Sequence, residues 1–207
     1  MLLIFSLFII CCGNKSHNNN TNIDDSIHAN KIDSVKTSKV ALIDSLKDPH
    51  GFYYLTDLPL QKVADLILKD SVQPSDNKVT FDCMDSISSN NIETREFFMP
   101  VFLKIIDKAD GALAEAVGGY TMAYTNKFPK EFADGYKKMT KKQSEIWISY
   151  TAEELYYNDS EGFKNSRRWT DSIIIKCTDC DSTELQVLKQ FNKLILTSVK
   201  EINKNPY

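Results

Sequence analysis

The sequence predicts an all-α domain over residues 38–207, built as a single helical bundle or irregular stack of about six to eight helices with short connections. Three observations predict it. Apolar residues recur at helical spacing through most of the chain from Leu60 onward. Three capping-box patterns, Asn90-x-x-Glu93, Thr140-x-x-Gln143 and Asp181-x-x-Glu184, each stand just before such a run. Strand signals are confined to Val79-Thr80-Phe81 and Ile173-Ile174-Ile175, and the second also fits a short helix ending before Cys177. No exact internal repeat is present, so a solenoid has no basis.

Taken in order, Leu60, Val63, Leu66 and Ile67 form one apolar stripe. Phe98, Val101, Phe102, Ile105 and Ile106 follow the spacing i, i+3, i+4, i+7, i+8, with Pro100 expected to kink that helix or mark its first turns. Asp110-Gly111 reads as a helix-to-helix turn. Leu113, Val117, Tyr120 and Tyr124 carry the next helix, made thin by Ala112, Ala114, Ala116, Gly118, Gly119 and Ala123. A thin helix admits close neighbours, so this one is expected to be central, with Gly118-Gly119 its weak point. Phe128-Pro129 starts a short helix. After Thr140, the apolar residues Ile146, Trp147, Ile148, Tyr150 and Leu155 spread nearly all round their helix, which predicts burial. The last helix places Leu185, Leu188, Phe191, Ile195, Val199 and Ile202 on one face. Its Lys193, Lys200 and Lys204 lie toward the C-terminal end, where cations suit the macrodipole.

The N-terminus has a different character. Leu2 to Ile10 is an apolar run interrupted only by Ser6. It has the length of a signal-peptide core and about half the roughly 20 residues of a membrane-spanning helix. The segment Ile9-Ile10-Cys11-Cys12 resembles a bacterial lipoprotein processing site, with an aliphatic residue three before the modified cysteine and a small one directly before it. The resemblance implies a signal peptide over residues 1–11 and acylation of Cys12, since Cys11 would put the bulky Ile10 at the cleavage position. It implies a lipid-anchored protein of the bacterial cell envelope, at the outer membrane and facing the periplasm or the surface. Residues 12–37 are rich in Asn, Ser, Asp and Lys and poor in large apolar residues, the composition of a disordered tether. Its 25 residues from Gly13 to Thr37 give a root-mean-square reach of about 25–30 Å.

What the remainder lacks bounds its chemistry. All three histidines, His17, His28 and His50, precede Gly51. From Gly51 onward, a Ser-His-Asp or Cys-His nucleophile, a His-rich zinc site or an HExxH motif therefore has no histidine to build it. Neither GxxxxGK[ST] nor GxGxxG occurs. Asp107 to Gly111 invites a calcium-loop reading. With Gly111 at loop position six, however, positions one, three and twelve would be Ile106, Lys108 and Val117. A formal charge of −3 argues against a nucleic-acid partner. The lysine pairs at Lys137-Lys138 and Lys141-Lys142 read as a solvated helix face. No catalytic residue, cofactor or metal is assigned.

The cysteines carry the single chemical alternative. Beyond Cys12, the chain holds Cys83, Cys177 and Cys180, and Cys177-Thr-Asp-Cys180 is a CxxC. One reading is an extracytoplasmic thiol–disulfide oxidoreductase. Asp179, Asp181 and Glu184 oppose it, because they would raise the thiol pKa, and no βαβ context surrounds the motif. The other reading is a structural disulfide, either Cys177–Cys180 or one of these with Cys83. The longer loop would stabilise by about 4 kcal/mol in the chain-entropy model. Glu153-Glu154 reads as solvated. Tyr53-Tyr54 and Tyr156-Tyr157 are either core-edge residues or an aromatic binding surface.

Asp-Ser followed by Ile, Leu, Val or Thr occurs at Ser26, Ser34, Ser45, Ser71, Ser86, Ser172 and Ser182, against about one expected from composition. The triplet resembles the O-glycosylation signal that one phylum of Gram-negative bacteria uses on exported proteins. The resemblance implies glycan on the tether serines Ser26 and Ser34. At Ser182, Asp-Ser also suits a helix start. The function expected is that of a non-enzymatic envelope lipoprotein, bound to the membrane through its lipid and to a protein partner through its helical domain, as an inhibitor or immunity factor would be.

Overall fold

The computed structural model describes residues 55–158 and 163–204. Among them are eight α-helices and no strand, as the apolar periodicity predicts: α1 (Leu60–Leu68), α2 (Lys78–Asp85), α3 (Ile92–Lys108), α4 (Gly111–Lys127), α5 (Pro129–Tyr136), α6 (Lys141–Tyr157), α7 (Phe163–Lys176) and α8 (Ser182–Lys204). Both β-branched runs are helical, Val79-Thr80-Phe81 in α2 and Ile173-Ile174-Ile175 in α7. Asn77 accounts for the first, since its Oδ1 accepts a hydrogen bond from Thr80 N at 2.9 Å and starts a helix where propensity favours a strand.

Two of the three capping boxes close as the sequence suggests. Thr140 Oγ1 accepts from Gln143 N at 3.2 Å while Gln143 Oε1 accepts from Thr140 N at 2.9 Å. Asp181 Oδ1 accepts from Glu184 N at 2.8 Å, and Glu184 Oε2 accepts from Asp181 N at 2.7 Å. The third is displaced by one residue. Asn91, not Asn90, caps α3, accepting from Thr94 N at 2.9 Å. Pro100 lies well inside α3, so that helix lacks one internal donor there.

The elements meet at Trp147, which is fully buried. The rings of Phe102 (α3), Tyr124 (α4) and Phe132 (α5) lie 5.5, 5.9 and 5.5 Å from its own, and Phe191 (α8) stacks edge-on against Phe132 at 4.7 Å. Behind this hub, α4 runs against α6 through small residues. A Cβ at Gly118 would sit 2.7 Å from both the Tyr150 carbonyl oxygen and the Glu154 Cβ, so only glycine permits this approach. The hydroxyls buried in the same contact are satisfied internally. Thr151 Oγ1 lies 2.8 Å from Thr121 Oγ1, and Trp147 Nε1 donates to Thr125 Oγ1 at 3.3 Å. The thin helix is therefore packed as expected. α6 is less buried than its apolar spread suggests, with Trp147, Thr151, Ala152 and Leu155 inside and Ile146, Ile148 and Tyr150 half-buried.

α7 and α8 form an antiparallel hairpin. Cys177 and Cys180 are joined by a disulfide at its turn, Asn192 Nδ2 donates to Thr170 O at 2.6 Å midway, and Lys200 Nζ lies 4.8 Å from the Phe163 ring at the far end.

Candidate functional site

On one side of the aromatic hub, α3, α4 and α5 enclose an open cleft of about 790 Å³. Its apolar lining comes from Ile92, Met99, Pro100, Phe128 and Pro129. Its polar rim comes from Glu96, Lys127, Lys130, Asp134, Lys138, Lys176 and Asp179. Ile92 is 53 % exposed, a large aliphatic side chain left facing water at the cleft edge.

The cleft wall is fixed from beneath by a charged network. Arg95, although charged, is buried on the core-facing stripe of α3, three residues before Phe98 and seven before Phe102. Its guanidinium grips Glu131 of α5, with Nε 3.1 Å from both carboxylate oxygens and Nη2 2.6 Å from Oε2, and donates from Nη1 to Ser89 O at 2.8 Å. The Phe128 ring covers the guanidinium at 3.9 Å. Tyr124 completes the set, donating its hydroxyl to Glu131 Oε1 at 2.8 Å. The hydrogen bond to Glu131 holds the Arg95 pKa above its ordinary value. Burial, helped by the same carboxylate, pushes the Tyr124 phenol well up, so the phenol stays a neutral donor. Every member has its partners, so the network holds its shape rather than offering a free acid or base.

The disulfide turn forms the far rim. Lys130 Nζ donates to Asp179 O at 2.8 Å and pairs with the Asp179 carboxylate at 3.6 Å, tying the Cys177–Cys180 turn to α5. Of the pairings open to the cysteines, this is the one formed, with Cα atoms 5.3 Å apart. Cys83 pairs with neither. It is buried in α2, and burial, with Asp82 beside it, pushes its thiol up to about 12. Cys177 is 5 % exposed and Cys180 half-buried, and the pair precedes the α8 cap rather than sitting at the helix N-terminus.

The other residues singled out by the sequence are dispersed. Glu153 accepts from Ser149 Oγ at 2.9 Å, whereas Glu154 packs over Gly118, so the two do not converge. Tyr156 is half-buried and Tyr157, its ring 5.3 Å away, is 65 % exposed at the end of α6, away from the cleft lining. Lys137 pairs with Asp134 at 2.7 Å, Lys141 with Glu145 at 3.7 Å and Lys142 with Asp107. Among the described Asp-Ser serines, Ser86 and Ser172 hydrogen-bond to the carbonyls of Asp82 and Trp169, and Ser182 opens α8. Cys12, Ser26, Ser34, the signal and tether segments and Tyr53-Tyr54 lie outside the described residues. No group of three or more His, Cys, Asp or Glu with metal-binding geometry occurs among the described residues, and no helix among them is long and apolar enough to cross a membrane.

No protein-family model, curated protein or solved structure matches the chain.

Proposed function

We propose that this chain is a lipid-anchored lipoprotein of the bacterial cell envelope, and that its helical domain binds a partner protein through the cleft between α3, α4 and α5. The observation that carries the binding role is the cleft's construction, an apolar floor with exposed Ile92 resting on the Arg95–Glu131–Tyr124 network. Apolar anchors rimmed by mixed charge suit a protein surface, where burial supplies affinity and the rim sets register. The Cys177–Cys180 disulfide agrees with an oxidising compartment, and Ile9-Ile10-Cys11-Cys12 with an anchor at Cys12. Thiol–disulfide exchange, the competing reading, requires an accessible sulfur, and the burial of Cys177 opposes it.

In cells, a photoreactive side chain at position 130 should yield a discrete protein adduct that is absent when the probe stands at Gln61 on α1. Adding Ile92→Asp should suppress that adduct about tenfold, the effect of removing one interface anchor worth about 1.4 kcal/mol. Identical products from both positions, or an adduct indifferent to Ile92→Asp, would overturn the assignment of the cleft.

A further inference from the structure

The outer face of the α7–α8 hairpin carries a second, differently built groove of about 820 Å³. Two helical rows meet in it. α7 contributes Arg167, Asp171, Ile174 and Ile175 at i, i+4, i+7 and i+8. α8 contributes Lys189, Lys193, Leu196 and Lys200 at i, i+4, i+7 and i+11. Four cations therefore line the groove against one carboxylate, on a chain whose formal charge is −3. Lys189 and Lys193 pair with no carboxylate among the described residues, in contrast to Lys137, Lys141 and Lys142 on α5–α6, which all do. The floor is apolar, made by Phe163, Ile174 and Leu196, and Ile175 stands 74 % exposed at the lip. Cations without carboxylate partners and an exposed isoleucine thus share one face.

Asn192 lines the groove at 8 % exposure. Its Nδ2 is committed to Thr170 O, but its buried Oδ1 has no hydrogen-bond partner.

We infer that this groove docks the domain on an anionic phospholipid surface, with Lys189, Lys193, Lys200 and Arg167 facing the phosphates and Ile175 entering the interfacial layer. The inference rests on the proposed membrane anchor, which would hold the domain within tether reach of such a surface and make weak contacts sufficient. The occupant follows from charge and from that proximity. An exposed aliphatic residue ringed by cations is the arrangement that peripheral proteins use at the headgroup boundary.

The test uses the mature chain carrying Cys12→Ser, so that no acyl group contributes. It is floated with vesicles of phosphatidylcholine alone, or of phosphatidylcholine mixed with phosphatidylglycerol. Binding should favour the anionic vesicles about tenfold or more and weaken with added salt. Lys189→Glu with Lys193→Glu should reduce it at least about tenfold while the helical circular dichroism is kept, and Lys141→Glu with Lys142→Glu should leave it unchanged. Equal binding to both vesicle types would overturn the inference. So would equal loss from both double variants, or binding of an acidic amphipathic peptide in place of vesicles. The anchor is read separately, from the acyl mass on Cys12. A lipid adduct without vesicle preference defeats the docking alone, and vesicle preference without the adduct defeats the anchor alone.

Discussion

At Gly118 two helices approach more closely than any side chain allows. Gly118→Ala would push a methyl into the Tyr150 carbonyl, a backbone atom that cannot swing aside, and should destabilise by about 2 kcal/mol. Its neighbour gives the control, because a Cβ at Gly119 meets nothing nearer than Glu154 Oε1 at 3.8 Å. Gly119→Ala should be neutral or stabilise by up to about 1 kcal/mol through helix propensity. Urea midpoints of the two variants check both signs. Cys83 offers a test by pH. Its thiol ionises near 9 in the unfolded chain but only at about 12 in the fold. The raised value contributes stability that is fully present below 9 and is lost as pH rises toward 12. Cys83→Ala should therefore flatten part of the alkaline fall in the urea midpoint over that window, whatever it costs at neutral pH.

At the scale of elements, the Arg95–Glu131 pair joins α3 to α5 under the cleft. Glu131→Ala would leave a buried guanidinium without its carboxylate and should cost about 3 kcal/mol, whereas Arg95→Leu with Glu131→Leu should recover most of that loss. Thermal melts of the two variants beside the parent protein decide whether the pair acts as a unit. The disulfide makes a smaller contribution than a Cys83 bridge would. It closes a loop with a sequence separation of only 3, which the chain-entropy model values at about 2 kcal/mol. Reduction should lower stability by about that amount without unfolding the helices, and circular dichroism in reductant checks it. These elements also show what the sequence could and could not reveal. Thr140–Gln143 and Asp181–Glu184 mark their helices unambiguously because capping is local. The run at Val79 stays ambiguous because three residues fit either period, and the deciding group, Asn77, works through one capping bond. Arg95 carries a local signal, a charge at i on the stripe continued by Phe98 and Phe102. Its partner Glu131, 36 residues away, follows no local rule. The cleft was illegible for the same reason, since its walls come from three helices and the disulfide turn.

For the whole molecule, the proposals divide the work among distinct parts. Residues 1–37 would supply an address, through the likeness of Ile9 to Cys12 to a lipoprotein site. The α3–α5 cleft would present its apolar anchors to a protein, and the α7–α8 face its cations to a bilayer. The two faces differ in chemistry, so their functions should separate by mutation. Ile92→Asp should affect only partner cross-linking, and reversal of Lys189 and Lys193 only vesicle binding. The lipid anchor and the disulfide are both read from the intact mass of the protein isolated from its own cells, with alkylation in denaturant before and after reduction. The expected result is a chain beginning at Cys12 with acyl groups attached, one alkylatable thiol (Cys83) before reduction and three after it. A mass without lipid, or three thiols free before reduction, would contradict it.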